Sequence, residues 1–215
     1  FSRGFNLTLS GCNIHSCTLS GSYGAICTWS TNGIGTASIT IENSSIHDNT
    51  SSCHAGAICM FDGADLTITN STIYNNSIGS NCQAAAIWNV GGNMDLTNVT
   101  FAGHTVGGSV IYSMDYDDYI FPQDNQAGSF NATNCIFDDS IINYYFTTIL
   151  GGTETSGGSN ISNDNSMDSF LTGSGDLNNT SAMLDPAGLK DNGGTVPTVS
   201  LMCGSPAVDA GTLVF

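Results

Sequence analysis

Apolar and polar residues alternate in five stretches of this chain, and the stretches line up with one another. They are LTLSGCNIHSC from Leu7, ITIENSSIHDN from Ile39, LTITNSTIYNN from Leu66, MDLTNVTFAGH from Met94 and, more weakly, FNATNCIFDDS from Phe130. Alternation at period two marks a strand with one buried face. Ile39, Ile41 and Ile46 correspond to Leu66, Ile68 and Ile73, and again to Met94, Leu96 and Phe101. The starts are spaced by 32, 27, 28 and 36 residues. A second strand follows in the first four units, in YGAIC, AGAIC, AAAIW and GSVIY, which centre on Ile26, Ile58, Ile87 and Ile111. No unit holds a helix-length amphipathic stretch, so a βα repeat does not fit. A repeat that cannot bury its apolar face alone buries it against the units above and below. The pattern therefore predicts an all-β chain wound as a parallel β-helix, one unit per turn, with strands of successive turns about 4.8 Å apart.

Two further alignments support this register. Asn43, Asn70, Asn98 and Asn134 each fall four residues after a unit start, where stacked amides can hydrogen-bond along the coil axis. Cys27 aligns with Cys59, and Cys53 with Cys82. Adjacent turns bring equivalent Cα atoms to about 5 Å, within the range a disulfide accepts. Bridges Cys27–Cys59 and Cys53–Cys82 are expected, against the alternative of buried thiols that pack as small hydrophobes. For the remaining four cysteines, Cys12–Cys17 with Cys135–Cys203 is the simplest pairing.

Composition narrows the class of partner. Among 215 residues, 18 are acidic and only 2 basic, Arg3 and Lys190, giving a formal charge of −16. Such a surface repels phosphate backbones and anionic lipid, so neither nucleic acid nor a membrane is an expected partner. The rest of the polar surface is Asn, Ser, Thr and Gly, a composition for turns, ladders and contacts with sugars or water. Eight cysteines suit an oxidising compartment, and no cysteine or histidine cluster has zinc spacing. The chain begins at Phe1 and shows no signal peptide or membrane-length apolar run. It is expected to be a mature secreted chain or a piece of a longer one, located outside the cell or on its surface.

Two resemblances enter here. The GAI strands, each followed by a hydrophobic-x-x-Asn signature such as Ile46–Asn49 or Ile73–Asn76, resemble the GGAI and FxxN repeats of chlamydial polymorphic outer-membrane proteins. The segment SNISNDNSMDSFLTGSGDLNNTSAMLDPAGLKDNGGTVPTVSLMCGSPAVDAG, residues 159–211, resembles the end of bacterial β-helix proteins of the choice-of-anchor Q type. Three departures from that pattern stand out. Cys203 replaces a usual Pro, Val199-Ser200 replaces His-Ala, and Ser181-Ala182-Met183 interrupts the compact NNTDP link. The resemblance implies a right-handed, pectin-lyase-like parallel β-helix at the cell surface, with residues 1–158 as coils and 159–215 as the terminal coil and a Gly/Pro-rich cap of the same domain. It implies no activity, because the fold hosts many functions. A cap folded over an open coil end would cover strand groups that otherwise invite edge association. Asp191 and Asp209 read as turn residues of that cap.

The longest interruption, YSMDYDDYIFPQDNQAG at 112–128, is the candidate ligand loop. Asp115, Tyr116, Asp117, Asp118, Tyr119 and Asp124 set aromatic faces beside carboxylates, a composition that suits a sugar or Ca²⁺. A solvated loop or a protein contact explains the same residues. Lyase chemistry on a uronate needs a strong base, and Arg3 and Lys190 lie near opposite chain ends. A hydrolase needs carboxylates facing one groove, with Asp62, Asp65, Asp95 and Asp115 as candidates. His15 and His47 align as an exposed stack. The sequence thus points away from catalysis and names no catalytic residue, metal or cofactor. Sequons at Asn6, Asn75, Asn131, Asn160, Asn178 and Asn179 are the glycosylation candidates, while Asn43, Asn70 and Asn98 are expected to be inaccessible and Asn49 inward. Three functions follow: a structural or adhesive rod that self-associates into a fibre, a glycan-binding or glycan-processing β-helix using the 112–124 loop, and an ice-binding face. For the last, Thr8, Thr40 and Thr67 align but Asp95 ends the row.

Overall fold

A computed structural model gives the fold of residues 2–3, 6–21, 23–29, 37–61, 63–114, 128–147 and 152–213. The chain is an all-β, right-handed parallel β-helix of about five turns. Among the described residues there is no helix. A ten-stranded sheet carries the unit starts, a six-stranded sheet carries the GAI strands, and three two-residue strands form a narrow third wall.

The register is the one the alternation predicts. Leu7, Ile39, Leu66, Met94 and Phe130 pair in succession across the long sheet. Ile26, Ile58, Ile87 and Ile111 pair across the second, which Tyr144 extends by one strand. Because period two sends alternate residues inward, these columns fill the bore with large side chains such as Ile41, Ile46, Ile68, Ile73 and Phe101. Phe101 stacks on Phe137 with ring centres 5.3 Å apart. Burying one such side chain contributes roughly 1.5–3 kcal/mol, so the coils hold together through their interior.

The corners between sheets are set by asparagine. Asn43, Asn70, Asn98 and Asn134 all lie at φ between 48° and 55°, a left-handed conformation that Asn tolerates better than most residues. Their side chains form the expected ladder: Asn70 donates to Asn43 Oδ1 (3.4 Å), Asn98 to Asn70 (2.8 Å) and Asn134 to Asn98 (3.0 Å). The ladder runs along the outside, and Asn43, Asn70 and Asn98 are exposed rather than inaccessible. Left-handed φ turns these amides away from the bore. The inward ladder is a second one. Asn49 is fully buried, and both its main-chain N and its Nδ2 donate to Asn76 Oδ1.

The two ends of the coil differ. At the C-terminal end Met167, Phe170 and Leu171 are buried as a plug, with the Phe170 ring 4.7 Å from Phe130. The antiparallel hairpin of Leu184–Lys190 and Thr198–Leu201 packs elsewhere, on the flank. Ala182 N donates to Asp138, and Thr212 is bonded to Asn134. The Gly/Pro-rich segment expected over the coil end therefore covers a side wall, and residues 167–171 close the bore instead. At the other end Leu7, Leu9 and Ile14 are inward-facing but only half-buried, on strands paired along one edge alone among the described residues.

Only one of the expected bridges is present. Cys53 and Cys82 are joined, with Cα atoms 5.2 Å apart. Cys27 and Cys59 sit side by side in register but remain thiols, both buried. In a regular parallel ladder equivalent Cβ atoms keep the strand spacing of about 4.8 Å, whereas a disulfide needs about 3.5–4.5 Å. Cys53 and Cys82 lie in turns, where that restriction lapses. The pairings Cys12–Cys17 and Cys135–Cys203 are also absent. A strand separates the first two, and their thiols turn back onto Ser10 O and His15 O. Cys135 is sealed in the core and bonded to Thr133 O, while Cys203 is at the surface.

Candidate functional site

The outer face of the long sheet is a polar lattice. One column runs Thr8, Thr40, Thr67, Asp95, Asn131 and Thr155, and the next Ser10, Glu42, Thr69, Thr97 and Thr133. Two of its carboxylates, Asp95 and Asp65, are tied along the axis. Asp95 accepts from Asn131 Nδ2 (2.6 Å), and Asp65 from Asn93 Nδ2 (2.9 Å). Asp65 and Asp95 thus serve the ladder rather than facing each other across a groove, and Asp62 and Asp115 lie outside the described residues. His15 and His47 stack at 4.9 Å on the next wall, His15 exposed and His47 largely covered.

The outer face of the second sheet is aromatic. Trp88 stacks on Tyr112 (4.8 Å) and Tyr112 on Tyr145 (5.3 Å), with planes within 14°. Exposure rises along this column from 7% at Trp88 to 48% at Tyr145. Tyr112 opens the candidate loop, but Asp115, Tyr116, Asp117, Asp118, Tyr119 and Asp124 themselves lie outside the described residues.

The column ends at a groove of about 440 Å³, a volume typical of small-molecule sites. Its origin is a mismatch between sheets. The second sheet stops at Tyr144–Thr147, while the long sheet continues to Thr153–Gly158. Glu154 pairs with Phe130 and so takes an inward position in this last coil, where every earlier coil has an apolar residue. The groove is lined by Glu154, Tyr144, Tyr145, Ile142, Asn165 and Ser169, with Ser166 beside them. Ser166 is already bonded to Asp164. Among the described residues nothing pairs with the Glu154 carboxylate.

A second cleft, of about 280 Å³, lies between the flank hairpin and Tyr74, Gly103 and Asp138. Its acids are occupied. Asp138 accepts from Asn163, Ser181 and Ala182, and Asp185 from Lys190 and Ala187. Those bonds hold the Asp185 carboxyl below the usual range, and Lys190 is committed to the hairpin.

Sequence reasoning missed a buried His104–Asp139 pair. His104 stands where Asn49 and Asn76 stand in earlier coils. Its main-chain N and Nδ1 lie 2.6 and 3.1 Å from Asp139 Oδ1, and both side chains are wholly enclosed. It fills a corner and reaches no surface. Its displacement of Asn from the corner position was the available signal.

The sequons divide by burial. Asn6, Asn75 and Asn179 are exposed and Asn131 is half-exposed. Asn160 is fully buried, with its amide donating to Ala132 O and Asp176, so it is no acceptor for a glycan. Asn178 donates its amide to Leu171 O. Among the described residues no group of three His, Cys, Asp or Glu is placed to hold a metal ion, and no helix is long and apolar enough to cross a membrane. Comparison with family models, curated proteins and solved structures finds no match to this chain.

Proposed function

We propose that this chain is a non-catalytic extracellular module, structural or adhesive in role. The observation that carries this reading is the polar lattice, a rigid wall of Thr- and Asn-rich columns in which Asp95 and Asp65 are bonded along the axis. A surface with its hydrogen bonds preset in rows favours repeated weak contacts over a single chemical step. The Cys53–Cys82 bridge supports an oxidising location. For self-association, the described residues offer lateral contact through the lattice. Electron microscopy of native material tests this. Laterally ordered filaments are expected, and dispersed single rods at high concentration would remove the structural reading.

A second reading, glycan binding, is favoured by the aromatic column Trp88–Tyr112–Tyr145, which becomes more exposed toward the groove. Its test is a screen of the intact chain against a glycan array.

A further inference from the structure

We infer that the groove at the plugged end is a subsite for one neutral pyranose ring, held between the open face of Tyr145 and the carboxylate of Glu154. The inference rests on the glycan-binding reading above and names the residues that would carry it.

Glu154 occupies a column that otherwise reads Leu7, Ile39, Leu66, Met94 and Phe130. A carboxylate at an inward position, half-buried, is costly unless it is paired. The other acids facing a cavity are paired within the chain, as Asp138 and Asp185 are. Among the described residues Glu154 is not, so its two oxygens are left to accept from a ligand that enters the groove.

Tyr145 supplies the second element. Tyr112 covers one face of its ring at 5.3 Å. Among the described residues no ring stacks on the other face, and the side chain is 48% exposed at the groove. A flat aromatic face next to hydrogen-bonding groups fits a sugar, which presents C–H groups on one side and hydroxyls at its edge. The side chains of Asn165 and Ser169, exposed on the groove wall, offer further donors and acceptors. Ile142, 49% exposed, extends the apolar floor. Charge selects among sugars: with −16 on the chain and the Glu154 carboxylate in the groove, uronates and sulfated sugars are repelled.

The test is titration of the intact chain with glucose, galactose, mannose, N-acetylglucosamine and their β-linked disaccharides, followed by saturation-transfer NMR and tyrosine fluorescence. At least one of these is expected to bind. Tyr145→Ala and Glu154→Gln should each weaken it about tenfold or more, with Asp209→Asn, exposed on the C-terminal segment away from the groove, as the unaffected control. Both positions are partly exposed, and an unchanged circular dichroism spectrum checks that each variant folds. Sugar binding that survives both substitutions would overturn the subsite while leaving glycan binding in place elsewhere. Absence of binding by every sugar in both this panel and the array would overturn both. Preference for galacturonate over galactose would overturn the assigned role of Glu154.

Discussion

Asn134 holds Thr212, 78 residues away, by both edges of its side-chain amide: Nδ2 donates to Thr212 O at 2.8 Å, and Oδ1 accepts from Thr212 N at 2.9 Å. The amide thus imitates a neighbouring strand. It also ends the outer ladder, since Asn134 Nδ2 reaches Asn98 as well. The C-terminal tail is therefore docked on the flank through the same corner that stacks the coils.

Asn134→Gly, which keeps the left-handed backbone, should release the tail. The bonds lost are partly exposed, so the cost is about 1 kcal/mol, a fall of about 2–4 °C in Tm for a chain of this size. Hydrogen exchange would show faster amides near Thr212 with the coils unchanged. Exchange that rises equally in the coils would mean the tail is part of the cooperative core.

The two asparagine ladders should differ in cost. Asn76 is buried, donates to Ile46 O and accepts twice from Asn49. Asn76→Ala removes three buried hydrogen bonds, and a loss of roughly 3 kcal/mol is expected. Asn70→Gly keeps the left-handed backbone and removes only exposed bonds, for a loss of about 1 kcal/mol or less. Denaturant unfolding of the pair checks this, and equal losses would refute the assignment of inner and outer roles.

How much of this was legible in the sequence depends on how the information is carried. The columns Leu7–Phe130 and Ile26–Ile111 were readable because the period-two alternation repeats in each coil, and they pair as aligned. The position of the outer ladder was readable, but not its direction, which φ decides. Cys27 and Cys59 were correctly aligned and wrongly bonded, since register fixes the Cα spacing but not the approach of Cβ atoms. Glu154 was invisible for another reason. In TETSGG the inward positions are Glu154 and Ser156, so the last strand carries no apolar alternation to align.

The thiols give a direct chemical check. Six cysteines are free, with Cys17 and Cys203 exposed and Cys27, Cys59 and Cys135 buried. In denaturant without reductant, six thiols should react per chain. In the native state Cys17 and Cys203 should react first, and peptide mapping should show Cys27 and Cys59 protected. Four reactive thiols and a linked Cys27–Cys59 peptide would show that the ladder closes after all.

Alkaline pH should destabilise the fold through these buried thiols. Burial pushes Cys135 up from 9.0 to about 12, and burial together with the neighbouring Cys27 raises Cys59 as well. The bond from Cys59 lowers Cys27, an opposing effect confined to that pair. For Cys135 the unfolded thiol loses its proton near pH 9 while the folded one keeps it. The unfolded state then binds fewer protons, and stability falls as pH rises. The contribution is intact below pH 9 and declines between pH 9 and about 12, with a limiting slope of roughly 1.4 kcal/mol per pH unit for one such group. Tm measured from pH 7 to 11 should be level and then drop. Cys135→Ala should lower Tm at neutral pH, because it opens a small cavity beside Phe101 and Phe137 in the same core. It should also flatten the alkaline drop relative to the parent chain. A variant with the same alkaline slope as the parent would show that Cys135 is not the group being titrated, and Cys59→Ala would then be the substitution to compare.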